Sequence, residues 1–129
     1  MVEKATEMVK RVLPKLRKEI DFRDDVEIHF RPIRGNTGGL AYQNKNLIQV
    51  DPRLNVVDML EIVAHELVHN EQYKQGRLNL DGVNKAVFQG KLYYRPPNGS
   101  NAYFNSPWEV EAYSRAAALR PHLELIARI

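Results

Sequence analysis

Two of the chain's four histidines stand in the run His65-Glu66-Leu67-Val68-His69. On an α-helix that spacing sets both imidazoles one turn apart on one face, where a single Zn²⁺ can take a nitrogen from each at about 2.0–2.1 Å. Glu66 falls on the flank of that face. Its carboxylate is placed to take the proton of a zinc-bound water, the general base of metal-assisted hydrolysis. In a chain of this composition the pattern arises by accident about once in a hundred. The competing reading is a plain pair of exposed helix histidines.

The pattern needs a helix, and the flanking residues supply one. Asn55 is a capping residue with Asp58 in the first turn, and the apolar periodicity runs through Met59, Leu60, Ile62, Val63, Leu67 and Val68 to about Gln75, with Gly76 as the stop. On a wheel, Leu60, Val63, Ala64 and Leu67 point away from the face that bears His65, His69, Asp58 and Gln72, so the histidines are not core filling. Glu61, Asn70 and Glu71 are expected to face water or to lie behind the site.

An active zinc site takes three protein ligands and leaves a position for water. The chain has no cysteine, so the third ligand must be a histidine or a carboxylate. His29 alternates outward in a strand whose buried face is Val26, Ile28 and Phe30, and His122 sits behind Pro121 near the end of the sequence. The remaining candidates are Glu109 and Glu111. Both belong to a last helix that begins at Ser106-Pro107-Trp108-Glu109 and runs to about Arg120, where Pro121 stops it and leaves residues 122–129 for a further turn. Trp108, Ala112, Tyr113, Ala116, Ala117 and Leu119 form an apolar arc with Glu109 near its centre, whereas Glu111 lies opposite with Ser114, Arg115 and Ala118. A carboxylate aimed into a core is costly unless paired or metal-bound, which makes Glu109 the expected ligand. If Glu109 instead closes a capping box on Ser106, the metal passes to Glu111.

With these residues in view the sequence resembles the zincin metallopeptidases, and among them the gluzincins of minimal size, whose third zinc ligand is a glutamate on a later helix. Glu109-Val110-Glu111-Ala112 is similar to the E-x-x-A segment of membrane-anchored gluzincins and of the ImmA/IrrE-type peptidases, so the resemblance also implies Glu109. Tyr113 stands where those families carry Asp or Asn, which removes the usual acceptor for a metal-binding imidazole. Asp58 is the substitute the sequence offers. The likeness spans roughly residues 26–119 and implies that Gly39 to Gln43 form the sheet edge on which an extended peptide adds as an antiparallel strand. Tyr93, Tyr94 and Tyr103 could each bring a phenol to a developing oxyanion, and nothing in the sequence separates them.

The other elements frame this centre. Residues 2–20 carry apolar positions at helical spacing, with Pro14 expected to kink the helix. Gly35-Asn36-Thr37-Gly38-Gly39 breaks the strand that contains His29, and Leu40-Ala41-Tyr42-Gln43 with Leu47-Ile48-Gln49-Val50 reads as a hairpin. Residues 76–105 read as mostly loop with one or two short strands or turns. Trp108 is expected to anchor its helix in the core.

The 129 residues, 43% hydrophobic and 27% charged, suit one ordinary α+β domain over residues 1–129. The net charge of +3 is small, and Lys10, Arg11, Lys15, Arg17 and Lys18 interleave with glutamates, which argues against a nucleic-acid footprint. No apolar run approaches the roughly 18 residues of a membrane span, and the expected address is cytoplasmic. The expected function is zinc-dependent hydrolysis of a peptide or protein substrate, with Glu66 as base and His65, His69 and Glu109 on Zn²⁺. A non-catalytic peptide-binding or regulatory module with a structural or vestigial zinc is the alternative.

Overall fold

The computed structural model of the chain describes residues 2–33, 38–97 and 100–127. Helix α1 (Val2–Ile20) leads into strands β1 (Glu27–Phe30), β2 (Gly39–Ala41) and β3 (Leu47–Val50), and helix α2 (Val56–Lys74) follows. Strands β4 (Leu78–Asp81), β5 (Lys85–Phe88) and β6 (Lys91–Tyr94) precede the short α3 (Asn101–Phe104) and the final α4 (Pro107–Ala127). Among the described residues the architecture is α+β, with four helices and two three-stranded sheets.

Helix α2 is the axis of the molecule and packs against α1, α4, β2, β3 and β4. Its N-cap is Asn55, whose side chain accepts the Asp58 N–H at 2.9 Å, and Gly76 leaves the helix at φ 72°. Both ends are therefore where cap chemistry puts them. Met59, Leu60, Val63, Ala64, Leu67 and Val68 meet Val9, Val12, Leu16 and Ile20 of α1, Ile48 and Val50 of β3, and Ala112, Ala116 and Leu123 of α4 in one core. Each fully buried Leu or Ile there contributes about 1.5–3 kcal/mol. The small Ala112 and Ala116 bring α4 close to α2, and that approach sets the distance between their polar side chains.

The first sheet has the order β1-β3-β2, with β1 parallel to β3 and β2 antiparallel to it. The hairpin is present and β2 is an edge strand. At its exit the buried Asp51 carboxylate accepts from the Arg53 side chain at 2.6 Å and from the Ile33 N–H at 3.1 Å, tying the end of β1 to the lead into α2. His29 is half-buried and bonds Glu27 at 3.1 Å, away from the histidine pair. The expected break at Gly35-Asn36-Thr37 lies outside the described residues.

Two expectations change. Residues 78–94, read as mostly loop, form a second antiparallel sheet of order β4-β5-β6. Its turns use Gly82 (φ 70°) and the pair Gln89 (φ 51°) and Gly90 (φ 83°), both in the left-handed region that a tight hairpin demands. Leu78, Ala86 and Phe88 pack on Trp108 in a satellite core, so Trp108 is the anchor expected of it. Next, α4 runs through Pro121, which was expected to stop it. Leu123 beyond the proline is fully buried, and the carbonyl that Pro121 cannot bond belongs to the exposed Ala117, where water can satisfy it. Pro14, expected to kink α1, lies inside that helix. Of the residues expected to face water or to lie behind the site, Asn70 and Glu71 are buried. Among the described residues no helix is long and apolar enough to cross a membrane.

Candidate metal centre

The helical register carries His65 and His69 to the same side of α2, and α4 brings Glu109 against them. The two Nε2 atoms are 3.1 Å apart, and Glu109 Oε1 lies 3.1 Å from that of His65 and 3.3 Å from that of His69. The other oxygen, Oε2, is 3.2 Å from His69. All three side chains are buried. Atoms that share a tetrahedral ion at bond lengths of about 2.0–2.1 Å are separated by about 3.3–3.4 Å, so this triangle has the size a Zn²⁺ requires. The donor set, two imidazoles and a carboxylate, is also one zinc accepts.

Glu66 lies close by, with ligand atoms of His65, Glu66 and His69 all within 4.8 Å of one another. Either carboxylate is thus near enough to join the imidazoles. Glu109 is the closer, and Glu66 is instead turned toward the sheet edge, since a Cβ on Gly39 would lie 3.1 Å from Glu66 Oε2. The same Cβ would run into Ile62 Cγ2, so only glycine lets β2 cross α2 at this point.

The alternatives for the third position separate cleanly. Glu111 accepts from Arg77 at 3.0 and 3.1 Å and from Gln72 at 2.6 Å, and it makes no contact with the histidines. The capping box that would have claimed Glu109 is not formed, because the Ser106 N–H that its carboxylate would accept donates instead to the Tyr103 carbonyl at 3.1 Å. Asp58 does not orient a histidine either. It accepts from Asn55 and Arg120, each at 2.9 Å.

His69 Nδ1 meets Gln72 Oε1 at 2.8 Å, and Gln72 Nε2 in turn donates to the Trp108 carbonyl at 3.1 Å. Gln72 is fully buried and had been seen in the sequence only as a neighbour on the histidine face. Its place one turn after His69 is the signal that could have found it. His65 Nδ1 is buried with no hydrogen-bond partner among the described residues, and the Tyr113 ring packs against that imidazole at 4.3 Å between centroids. The loss foreseen from a tyrosine at position 113 therefore falls on His65.

Electrostatics follow from burial among like and unlike charges. Burial raises the Glu66 pKa, and Glu109 adds to the rise while the imidazoles oppose it. Glu109 is also pushed up by burial, but hydrogen bonds from His65 and His69 outweigh that and hold it well below the usual carboxylate range. Burial would lower His69, yet Glu109 and Glu66 raise it.

The centre opens into a cleft of about 150 Å³ whose lining includes Gly39, Leu40, Ala41, Tyr73, Arg95 and Tyr103. Of the tyrosines left open by the sequence, only Tyr103 lines it; Tyr93 packs on Trp108 at 5.5 Å and Tyr94 is 77% exposed. Burial and the neighbouring Glu109 keep the Tyr103 phenol protonated, a donor at the cleft. Comparison with family models, curated proteins and solved structures gave no match.

Proposed function

We propose that the protein is a zinc-dependent peptidase in which His65, His69 and Glu109 hold the metal and Glu66 is the general base. The observation that carries this reading is the triangle of Nε2, Nε2 and Oε1 atoms, 3.1 to 3.3 Å on each side, with the Glu66 carboxylate beside it and a sheet edge above. Zn²⁺ in this position supplies Lewis acidity, which acidifies water and polarises a carbonyl. Glu66 accepts the proton of the attacking water and, as its conjugate acid, returns it to the leaving amine. A raised pKa suits a group that must do both. Tyr103 offers an O–H where negative charge develops on the carbonyl oxygen.

The substrate is positioned by β2. Gly38 and Tyr42 pair with Asp51 and Leu47 through their main chains. By the alternation of an antiparallel ladder, the N–H and C=O groups of Gly39 and Ala41 then point to the open side. An extended peptide laid there pairs with those groups and carries a carbonyl past Glu66.

Metal content and peptide hydrolysis of the wild type, Glu66→Gln, Glu109→Ala and Glu111→Ala test the reading. Glu66→Gln keeps one zinc and loses at least a hundredfold in rate, in line with the usual worth of general-base catalysis. Glu109→Ala loses zinc and Glu111→Ala keeps it. Full activity in Glu66→Gln refutes the base assignment. His65 Nδ1, with no hydrogen-bond partner among the described residues, lacks the acceptor on which the activity of a catalytic metal typically depends, and this favours one other reading, a metal held for structure alone. Stoichiometric zinc in a wild type that cleaves no peptide would establish it.

A further inference from the structure

The cleft holds one guanidinium that the mechanism above does not use. Arg95 follows β6, and its main-chain N–H is fixed to the Asn84 carbonyl at 2.7 Å, so the second sheet holds the side chain at the cleft. Its Nη1 donates to the Gly82 carbonyl at 3.1 Å. Arg17, Arg53, Arg77, Arg115 and Arg120 each grip a carboxylate, but among the described residues Arg95 has none. It lines the same cleft as His65, Glu66, His69 and Glu109, so Arg95 and the candidate metal centre face one space. A guanidinium carries five N–H donors in a rigid fork. With Nη1 committed to Gly82, the remaining edge is free for a planar acceptor, and the acceptor that matches it with two parallel bonds is a carboxylate.

We infer that Arg95 determines specificity in this cleft by taking a carboxylate of the bound peptide, either its C-terminal carboxylate or an acidic side chain. The inference rests on the peptidase reading for the identity of the guest. The two walls of the cleft then have separate tasks. Gly39 and Ala41 hold the main chain of any peptide, without regard to sequence, and Arg95 selects among peptides by charge.

Binding separates this from turnover. The probes are fluorescein-labelled alanine-based hexapeptides of three kinds: one with a free C-terminal carboxylate, one amidated, and one amidated with a central aspartate. Fluorescence anisotropy is read on zinc-loaded Glu66→Gln protein, with and without Arg95→Gln. At least one carboxylate-bearing peptide binds more tightly than the plain amide, and Arg95→Gln weakens that peptide about tenfold to a hundredfold, the range of a charge-assisted hydrogen bond, while leaving the plain amide unchanged. Which peptide responds tells a chain end from a side chain. Arg95→Glu reverses the preference toward a peptide with a central lysine. Equal binding of all three probes, or a carboxylate preference that survives Arg95→Gln, overturns the inference. Cleavage by protein that retains Glu66 is scored apart. Carboxylate preference with no cleavage of any probe refutes the peptidase reading and keeps Arg95 as a reader, whereas cleavage without preference does the opposite.

Discussion

His69 and Gln72 share a 2.8 Å hydrogen bond that fixes which ring nitrogen of His69 faces Glu109. Metal-binding histidines depend on such acceptors, and their loss typically lowers affinity 10- to 100-fold. Gln72→Leu should therefore weaken zinc binding by about that factor, read by competition with a chromophoric chelator. His65 offers the converse experiment, because its Nδ1 has no acceptor among the described residues and Tyr113 covers its ring. Tyr113→Asp puts a carboxylate where the resembling families have one, and zinc should bind about tenfold tighter. Unchanged affinity in both variants would mean that ring orientation is set by packing alone. At this scale the sequence was legible where placement follows from spacing along one helix: His65 and His69 lie together on α2 with Glu66 beside them. The inward turn of Glu109 was legible because a carboxylate amid Trp108, Ala112 and Ala116 has few affordable explanations. Tyr103 and Arg95 were not, since their approach depends on how the second sheet and α3 lie against α2.

Among the elements, β2 bears most directly on the chemistry, and Gly39 is its narrowest point. Gly39→Ala drives a methyl against Ile62 and toward Glu66 Oε2, a misfit of the overpacking kind that costs about 1–3 kcal/mol. Chemical denaturation should show that loss, and Ile62→Ala in the same chain should recover part of it, whereas a surface substitution would show neither. The loop joining β3 to α2 makes its own prediction. Hydrogen bonds from Arg53 hold the Asp51 pKa far below its ordinary value, so this group stabilises the fold above the unfolded-state pKa of about 3.9 and ceases to as pH falls through the depressed folded value. The Tm gap between wild type and Asp51→Asn should be full above about pH 5 and should close as the solution is acidified below about pH 4. A gap independent of pH would mean that the Asp51 charge is not what holds the loop. Helix α2 was legible from Asn55 to Gly76 because each end has a local chemical cause. The second sheet was missed although Asp81-Gly82 and Gln89-Gly90 are turn pairs and Leu78, Leu80, Ala86 and Phe88 share a face. Its strands are four residues each, too short for periodicity to stand out. Pro121 was taken at face value, and the burial of Leu123 outweighs it.

For the whole molecule, the candidate metal centre joins α2 to α4, the two helices at the heart of the core, so an ion bound there would steady the native state and not one helix alone. Zinc at a hundred times its Kd should add about 2.7 kcal/mol to the unfolding free energy, and chelation should remove it. Calorimetric scans with and without chelator read this directly, and Glu109→Ala should abolish the difference while Glu111→Ala keeps it. The α+β class and the order of helix, hairpin sheet, the helix bearing His65 and His69, and the helix bearing Glu109 were legible at this scale, because each is announced by a cap, a turn or an alternation. The arrangement of the two sheets was not, and one side chain explains why it matters. Gln43, just beyond β2, uses both ends of its carboxamide on β4, accepting from the Leu80 N–H and donating to the Leu80 carbonyl. It thus impersonates one residue of a neighbouring strand. A guest chain that approached β4 at this position would have to evict a tenant already in place. Of the two edge strands β2 and β4, it is therefore β2 that a guest chain would find unclaimed at this level.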